Sequence, residues 1–146
     1  MITRDDAEKY LSQYSDLLQA IAAKREQILT LQELATKTTS TLKDVVVQSG
    51  SNDGHAGAVV SWIGIEFTIS REIFLLEAVR LEIGERLGNM RKENALLANV
   101  LELRFLNDLG WDDVAGRLGY SVAHMYSLRA QALDMFIGYM DIDKKN

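Results

Sequence analysis

Three short groups of apolar residues at helical spacing lie within residues 93–136, and they constrain the fold more than any other part of the chain. The groups are separated at Gly110 and at Gly119–Ser121. Gly119 follows the last periodic residue of the middle group, where a helix commonly ends in the left-handed conformation. The Ser121 hydroxyl can then cap the next helix. Two helices joined by a short turn that contains glycine are typical of a helix-turn-helix.

The periodicity of these groups also divides their side chains into an inner and an outer set. We expect the inner set to form a small core that fixes the angle between the two helices: Phe105, Trp111, Val114, Leu118, Met125, Leu128 and Leu133. The outward positions of the last helix are then Val122, Ala123, His124, Tyr126, Ser127 and Gln131.

A long first helix is predicted before this region, with Thr3 or Asp5 as its cap. Apolar residues follow a seven-residue rhythm from Ala7 to Ala35, and only Lys24 interrupts it. Such a seam predicts either an antiparallel helical hairpin or a coiled-coil dimer. The chain contains no proline, so its helices lack the strongest helix breaker.

A second long helix is predicted to end at about Met90. Residues 58–68 alternate like a strand, but they also continue a helical seam, and we favour one long helix over a short strand at its start. This helix has a second apolar row, so we expect it to pack between neighbours. That row consists of Ile63, Phe67, Phe74 and Leu81.

The predicted fold class is therefore all-α, with two long helices, arranged as a hairpin or coiled coil, before a C-terminal three-helix helix-turn-helix. We expect residues 1–92 to form a helical arm for dimerisation, with a flexible linker at about 48–57 that is rich in glycine, serine and asparagine. Residues 93–138 form the helix-turn-helix domain, and residues 139–146 form a polar tail.

Composition excludes several classes of function. The chain has no cysteine and only two histidines, and its carboxylates read as solvated helix faces, so we expect no enzyme, no metal site and no cofactor. Its most apolar segment carries too many charges for a membrane span. The N-terminus lacks a secretory signal, so a cytoplasmic location is expected, which is the host bacterial cytoplasm if the chain is phage-encoded.

The run GWDDVAGRLGYSVAHMYSLRAQAL resembles the helix-turn-helix with which bacterial sigma factors read the promoter −35 element. It is more closely similar to phage-encoded sigma-like regulators, including the ArpU and RinA-like late-transcription activators. The residues that carry the resemblance are Leu103-Arg104-Phe105, Leu109-Gly110-Trp111, Val114-Ala115, Leu118, Gly119-Tyr120-Ser121, His124, Tyr126, Leu128, Ala132 and Leu133. The resemblance implies a phage or prophage transcriptional regulator that binds double-stranded DNA, and we expect it to do so as a homodimer.

In such a complex the last helix would face the major groove. The predicted DNA-binding residues are Ser121, Val122, Ala123, His124, Tyr126, Ser127, Arg129, Gln131 and Arg117. The start of the helix at Ser121 can hold a phosphate, and Ser127 or Gln131 can hydrogen-bond to base edges. Arg117 and Arg129 are candidates for contacts with the phosphate backbone.

Charge supports an alternative function. Residues 93–138 carry three basic and six acidic side chains, and the whole chain has a net charge of −5. Sigma-like relatives often have arginine at the positions of Val122, His124 and Tyr126, which this chain lacks. Because phosphate neutralisation provides most non-specific DNA affinity, the same fold can instead serve as a protein-interaction module. Its partner would be RNA polymerase, Cas9 or another host protein, and a phage inhibitor belongs to this class.

Overall fold

The computed structural model describes residues 1–44 and 52–140, and this part of the chain is helical with no strand. Five helices follow one another: α1 (Arg4–Asp44), α2 (Asn52–Glu93), α3 (Ala95–Leu101), α4 (Trp111–Leu118) and α5 (Val122–Met140). α3 continues directly into one wider π-helical turn, Glu102–Leu106. The prediction of an all-α fold is confirmed for the described residues.

The start of α1 shows why this helix begins where it does. The Thr3 hydroxyl accepts a hydrogen bond from the Asp6 N–H at 3.2 Å, and the Asp6 carboxylate accepts one from the Thr3 N–H at 2.9 Å. This reciprocal arrangement satisfies two backbone donors at the helix end. The Thr3 hydroxyl also donates a 3.0 Å hydrogen bond to this carboxylate, and the two bonds from Thr3 to the carboxylate lower its pKa. Of the two predicted caps, Thr3 is the one used.

The start of α2 differs from the sequence-based prediction. The helix begins at Asn52, so residues 52–57 are helical rather than part of a linker, and residues 48–51 lie outside the described chain. The isolated glycines at 54 and 57 cost about 1 kcal/mol each, which a long helix tolerates. The possible strand at 58–68 is wrong, since these residues are helical.

Contacts divide the chain into two compact units. Unit 1 consists of Met1–Asp16 and Leu76–Asn146, and unit 2 consists of Leu17–Leu75. The predicted domain boundaries, with residues 1–92 as an arm and residues 93–138 as a helix-turn-helix domain, remain a prediction. Residues 139–140 of the predicted tail belong to α5, and residues 141–146 lie outside the described chain.

The core of unit 1 is built from all five helices. The first turns of α1 contribute Ala7 and Leu11, and the remaining buried side chains come from the end of α2 and from α3, α4 and α5. Tyr10 packs against Phe136 with ring centroids 5.9 Å apart. The guanidinium of Arg86 lies 5.4 Å from the centre of the Tyr10 ring and donates a 2.6 Å hydrogen bond to the Tyr139 carbonyl. Burial raises the pKa of Tyr10 to about 12.

Asn94 separates α2 from α3 and caps the start of α3. Its backbone is extended (φ −148°, ψ 96°), and its side chain accepts a 3.0 Å hydrogen bond from the Leu97 N–H. Arg91, in the last turn of α2, bridges to Asn99 and Glu102 at 3.1 and 2.5 Å. The cap and these two contacts fix the direction in which α3 leaves α2.

Unit 2 contains the second part of α1 and the first part of α2. Among its described residues, the buried apolar ones are Ile21, Ala35 and Ile69. Lys24, which interrupts the seam of α1, forms a 2.7 Å ion pair with Glu72 of α2. The expectation that both apolar sides of α2 are packed is wrong for the described chain, because Phe67 remains 74% exposed. One side of the helix meets α1, and the opposite side meets no described neighbour.

Candidate nucleic-acid interface

The connection between α4 and α5 is a tight turn of three residues, and local chemistry determines both of its ends. Gly119 adopts φ 76° and ψ 27°, the left-handed conformation expected there. The Tyr120 N–H then donates a 2.9 Å hydrogen bond to the Ala115 carbonyl and so closes the end of α4. At the other end the Ser121 hydroxyl accepts a 3.1 Å hydrogen bond from the His124 N–H, which confirms the predicted cap of α5.

The predicted inner residues of this region do lie inside unit 1. Five of them are buried, namely Phe105, Val114, Met125, Leu128 and Leu133, while Trp111 and Leu118 are half-buried against the same core. Trp111 meets the Phe105 ring edge-on, with centroids 5.9 Å apart and the planes at 84°. Trp111 therefore packs mainly as a core residue rather than standing free as a stacking platform.

The predicted outward residues of α5 are all exposed. They are Val122, Ala123, His124, Tyr126, Ser127 and Gln131, preceded by the exposed Ser121. The Gln131 amide donates a 3.3 Å hydrogen bond to the Ser127 hydroxyl one helical turn away. The rings of His124 and Tyr120 lie 4.8 Å apart at the start of the helix. This surface of α5 is mixed, because the apolar Val122 and Tyr126 lie beside polar side chains, and it carries no basic side chain apart from the histidine.

Arg129 is not available on that surface, because an acidic residue of α1 holds it. Its Nη2 atom lies 3.0 and 2.9 Å from the two carboxylate oxygens of Glu8. Its guanidinium also lies 5.3 Å from the centre of the Trp111 ring. Arg129 is half-buried as a result and serves as a link between α1, α4 and α5.

A second ion pair joins α1 to α5 farther along the same side. Arg4 donates two hydrogen bonds to Asp134, with Nε–Oδ1 at 2.6 Å and Nη2–Oδ2 at 2.7 Å. This pairing lowers the pKa of Asp134 and raises that of Arg4. An open groove of about 250 Å³ lies between the helices here, lined among others by Glu8, Tyr126 and Arg129.

Of the other arginines near α5, only Arg117 is exposed. It lies in the last turn of α4 and forms no ion pair with any described residue, while Asp112 and Asp113 occupy the first turn of the same helix. Arg104 is half-buried, donates a 3.2 Å hydrogen bond to the Leu109 carbonyl and lies 5.6 Å from the Trp111 ring centre. Arg117 is thus the cation of this region that is best placed to meet a phosphate.

Sequence reasoning missed the two residues of α1 that form ion pairs with α5, namely Arg4 with Asp134 and Glu8 with Arg129. They lie 130 and 121 positions away from their partners on α5. No periodicity or motif connects positions so far apart, so no sequence signal could have identified them. The described residues also contain no group of three side chains suited to holding a metal ion.

Comparison of the chain with protein-family models, with curated proteins and with solved structures found no match. None of the described helices combines the length and the apolar character that crossing a membrane requires. The geometry of the turn and the residues exposed along α5 are therefore the observations that bear on function.

Proposed function

We propose that this chain is a DNA-binding transcriptional regulator of the phage-encoded, sigma-like kind, with α4 and α5 acting as a helix-turn-helix. The observation that carries the proposal is the turn at Gly119–Ser121, which is followed by a row of exposed side chains on α5 that includes the polar His124, Ser127 and Gln131. A recognition helix needs that combination, because its N-terminal residues must approach base edges without obstruction.

Ser127 and Gln131 are the residues proposed to contact bases. A glutamine side chain can form two hydrogen bonds with adenine, and a serine hydroxyl can donate or accept. In the free protein these two side chains bond to each other at 3.3 Å. Binding would exchange this exposed hydrogen bond for bonds to base edges, while Val122 and Ala123 would contact thymine methyl groups.

Phosphate contacts would come from the start of α5 and from Arg117. The N–H groups behind Ser121 point out of the helix end, where an anion is favoured. With so few cations, one copy would bind weakly, because each neutralised phosphate contributes to the affinity. We therefore propose that the regulator binds as a homodimer, with two recognition helices that share one DNA site.

Selection of binding sequences from a random duplex pool, followed by fluorescence anisotropy at increasing salt, tests this function. Ser127→Ala and Gln131→Ala should each lower the affinity for the selected sequence by about tenfold, since a good base contact is worth about 1–3 kcal/mol. Asn89→Ala, an exposed change on α2, is the control and should bind normally. If no sequence is enriched and no duplex binds at low salt, the proposal is refuted.

A second function is favoured by the ion pairs of Arg129 with Glu8 and of Arg4 with Asp134. Both arginines beside α5 are paired with carboxylates of the same chain, so this side of the helix has no excess positive charge. A surface without excess positive charge suits a protein partner better than DNA. We propose as the alternative a protein-interaction module that retains the helix-turn-helix fold and binds a host protein such as RNA polymerase.

Glu8→Gln separates the two functions because it removes the negative charge that neutralises Arg129. If α5 binds DNA, the variant should bind random duplexes more tightly, and the slope of log affinity against log salt should steepen by about one phosphate contact. Glu26→Gln removes an exposed carboxylate of α1 and controls for net charge alone. A protein-interaction module predicts no DNA binding by any of these variants, together with impaired capture of its partner by Tyr126→Ala.

A further inference from the structure

An exposed apolar row on α2 carries an inference that does not depend on DNA binding. Val60, Ile63, Phe67 and Phe74, named here the α2 outer row, are 69, 48, 74 and 76% exposed. Both phenylalanines are thus largely in water, although large aromatic residues are usually buried to a high degree. All four residues belong to unit 2.

The spacing of the α2 outer row places its members on one side of the helix. Val60, Phe67 and Phe74 are separated by seven residues, and Ile63 lies three residues after Val60. These three residues then occupy successive a positions, and Ile63 one d position, of a helix that packs along a second helix, while the next d position is Ser70. The opposite side of α2 contains the buried Ile69, so α1 does not cover the outer row within the described residues.

We infer that the α2 outer row binds the same row of a second copy of this chain, as a parallel two-helix interface. An isologous contact of this kind requires a surface that complements itself, and a straight apolar row does so when two copies lie side by side.

Two charges beside the row determine the direction of the pairing. If Val60, Phe67 and Phe74 occupy a positions, Glu66 falls at g and Arg71 at e of the next heptad. In a parallel pair the g residue of one copy faces the e residue five positions later in the other, so Glu66 would meet the partner's Arg71 twice. An antiparallel pair brings like positions together and so opposes equal charges. Arg71 is exposed and forms no ion pair with any described residue.

The area available is sufficient for a specific contact. An aromatic side chain can bury about 150–250 Å², so the α2 outer row offers about 500 Å² per copy and about 1,000 Å² for the pair. A specific interface needs at least about 1,000 Å², so the row reaches this limit before any flanking contact is counted.

Sedimentation equilibrium of the full chain tests the association. We expect a dimer at micromolar concentration, and Phe67→Glu with Phe74→Glu should weaken it by at least about 100-fold. Because both side chains are exposed within the chain, the helical circular-dichroism signal should persist. The matched control, Gln27→Glu with Glu33→Gln, changes exposed residues of α1 and should leave the dimer intact. A monomeric wild-type chain, or a dimer that the phenylalanine changes leave intact, overturns the inference.

Cysteine cross-linking tests the direction, since the natural chain has no cysteine. In a parallel pair the Val60→Cys variant should form a disulfide between the two copies of residue 60, and the Phe74→Cys variant between the two copies of residue 74. Gln27→Cys should form no disulfide between copies. Cross-linking of Val60→Cys only to Phe74→Cys would show an antiparallel pair and overturn the parallel assignment.

Charge reversal gives an independent check of the same assignment. Arg71→Glu alone should weaken the dimer by about fivefold, and adding Glu66→Arg should restore it. Failure of the second change to restore the dimer overturns the proposed role of this pair. The inference bears on the homodimer of the proposed function, but none of these measurements involves DNA, so failure of this interface and failure of DNA binding are distinguishable.

Discussion

Replacing Gly119 by alanine tests whether the turn before α5 is imposed by the left-handed conformation of this residue. Alanine at φ 76° costs about 1–2 kcal/mol, because its Cβ approaches the following carbonyl oxygen. The added methyl group would meet no other atom within 4 Å, so no packing term obscures this cost. Reduced freedom of the unfolded chain offsets part of it, by about 0.4–1 kcal/mol. We expect Gly119→Ala to lower the free energy of unfolding by about 1 kcal/mol.

Gly116 provides a matched control three residues earlier. It lies in α4 without a positive φ, and an added Cβ there also meets nothing within 4 Å. Alanine at a helical position is favoured over glycine by about 0.5–1 kcal/mol, so Gly116→Ala should stabilise the chain. The same chemical change should therefore have opposite signs at the two positions.

Urea denaturation followed by tryptophan fluorescence gives the measurement. A Trp62→Phe background leaves Trp111 of unit 1 as the only tryptophan, so the signal reports the unit that contains the turn. The free energies of unfolding of the two alanine variants should differ by about 1.5–2 kcal/mol, which corresponds to about 3–8 °C in the midpoint of thermal unfolding. If Gly119→Ala is as stable as Gly116→Ala, the argument from the left-handed turn is refuted.

Three further predictions concern stability. Thr3→Ala should cost about 1 kcal/mol in urea denaturation, because it removes the cap of α1, whereas an equal stability would show that the N–H groups find other partners. Lys24→Met should destabilise the chain by about 1–3 kcal/mol, because it leaves Glu72 partly buried without its partner. Adding Glu72→Met should recover most of this loss. If the double variant does not recover, the loss comes from packing and not from the unpaired charge. Burial raises the pKa of Tyr10 to about 12, so the folded chain favours the neutral phenol. The contribution of the neutral phenol to the free energy of unfolding is therefore fully present below about pH 10 and is lost as the pH rises towards 12. Tyr10→Phe should make alkaline unfolding less steep, and an unchanged profile would contradict this assignment.

The elements that sequence reasoning predicted well are those whose causes lie within a few residues. Gly119 and Ser121 end one helix and start the next through hydrogen bonds to positions at most four or five residues away. The division of α5 into buried and exposed positions follows from its helical period alone. For the same reason the long helix across residues 58–68 was predictable once its seam was weighed against the strand-like alternation.

The start of α2 and the π-helical turn at Glu102–Leu106 were not predictable in this way. Residues 52–57 contain two glycines, and their composition resembles a linker although they are helical. In the π-helical turn the Asn107 N–H reaches the Glu102 carbonyl at 3.0 Å, and Asp108 then takes φ 58°. Composition at either place reports only a local preference, which tertiary context can override.

By itself the sequence determined an all-helical chain, the positions at which α4 and α5 meet, and the residues that face outward from α5. Only the tertiary structure decided what surrounds those residues. Glu8 reaches Arg129 across 121 positions of the chain, and this contact removes a cation that the sequence had left available for DNA. The structure also decided which apolar row of α2 is covered and which remains exposed. A helical period states which residues share a face, but only the packed neighbours determine which face is buried and which charge is neutralised.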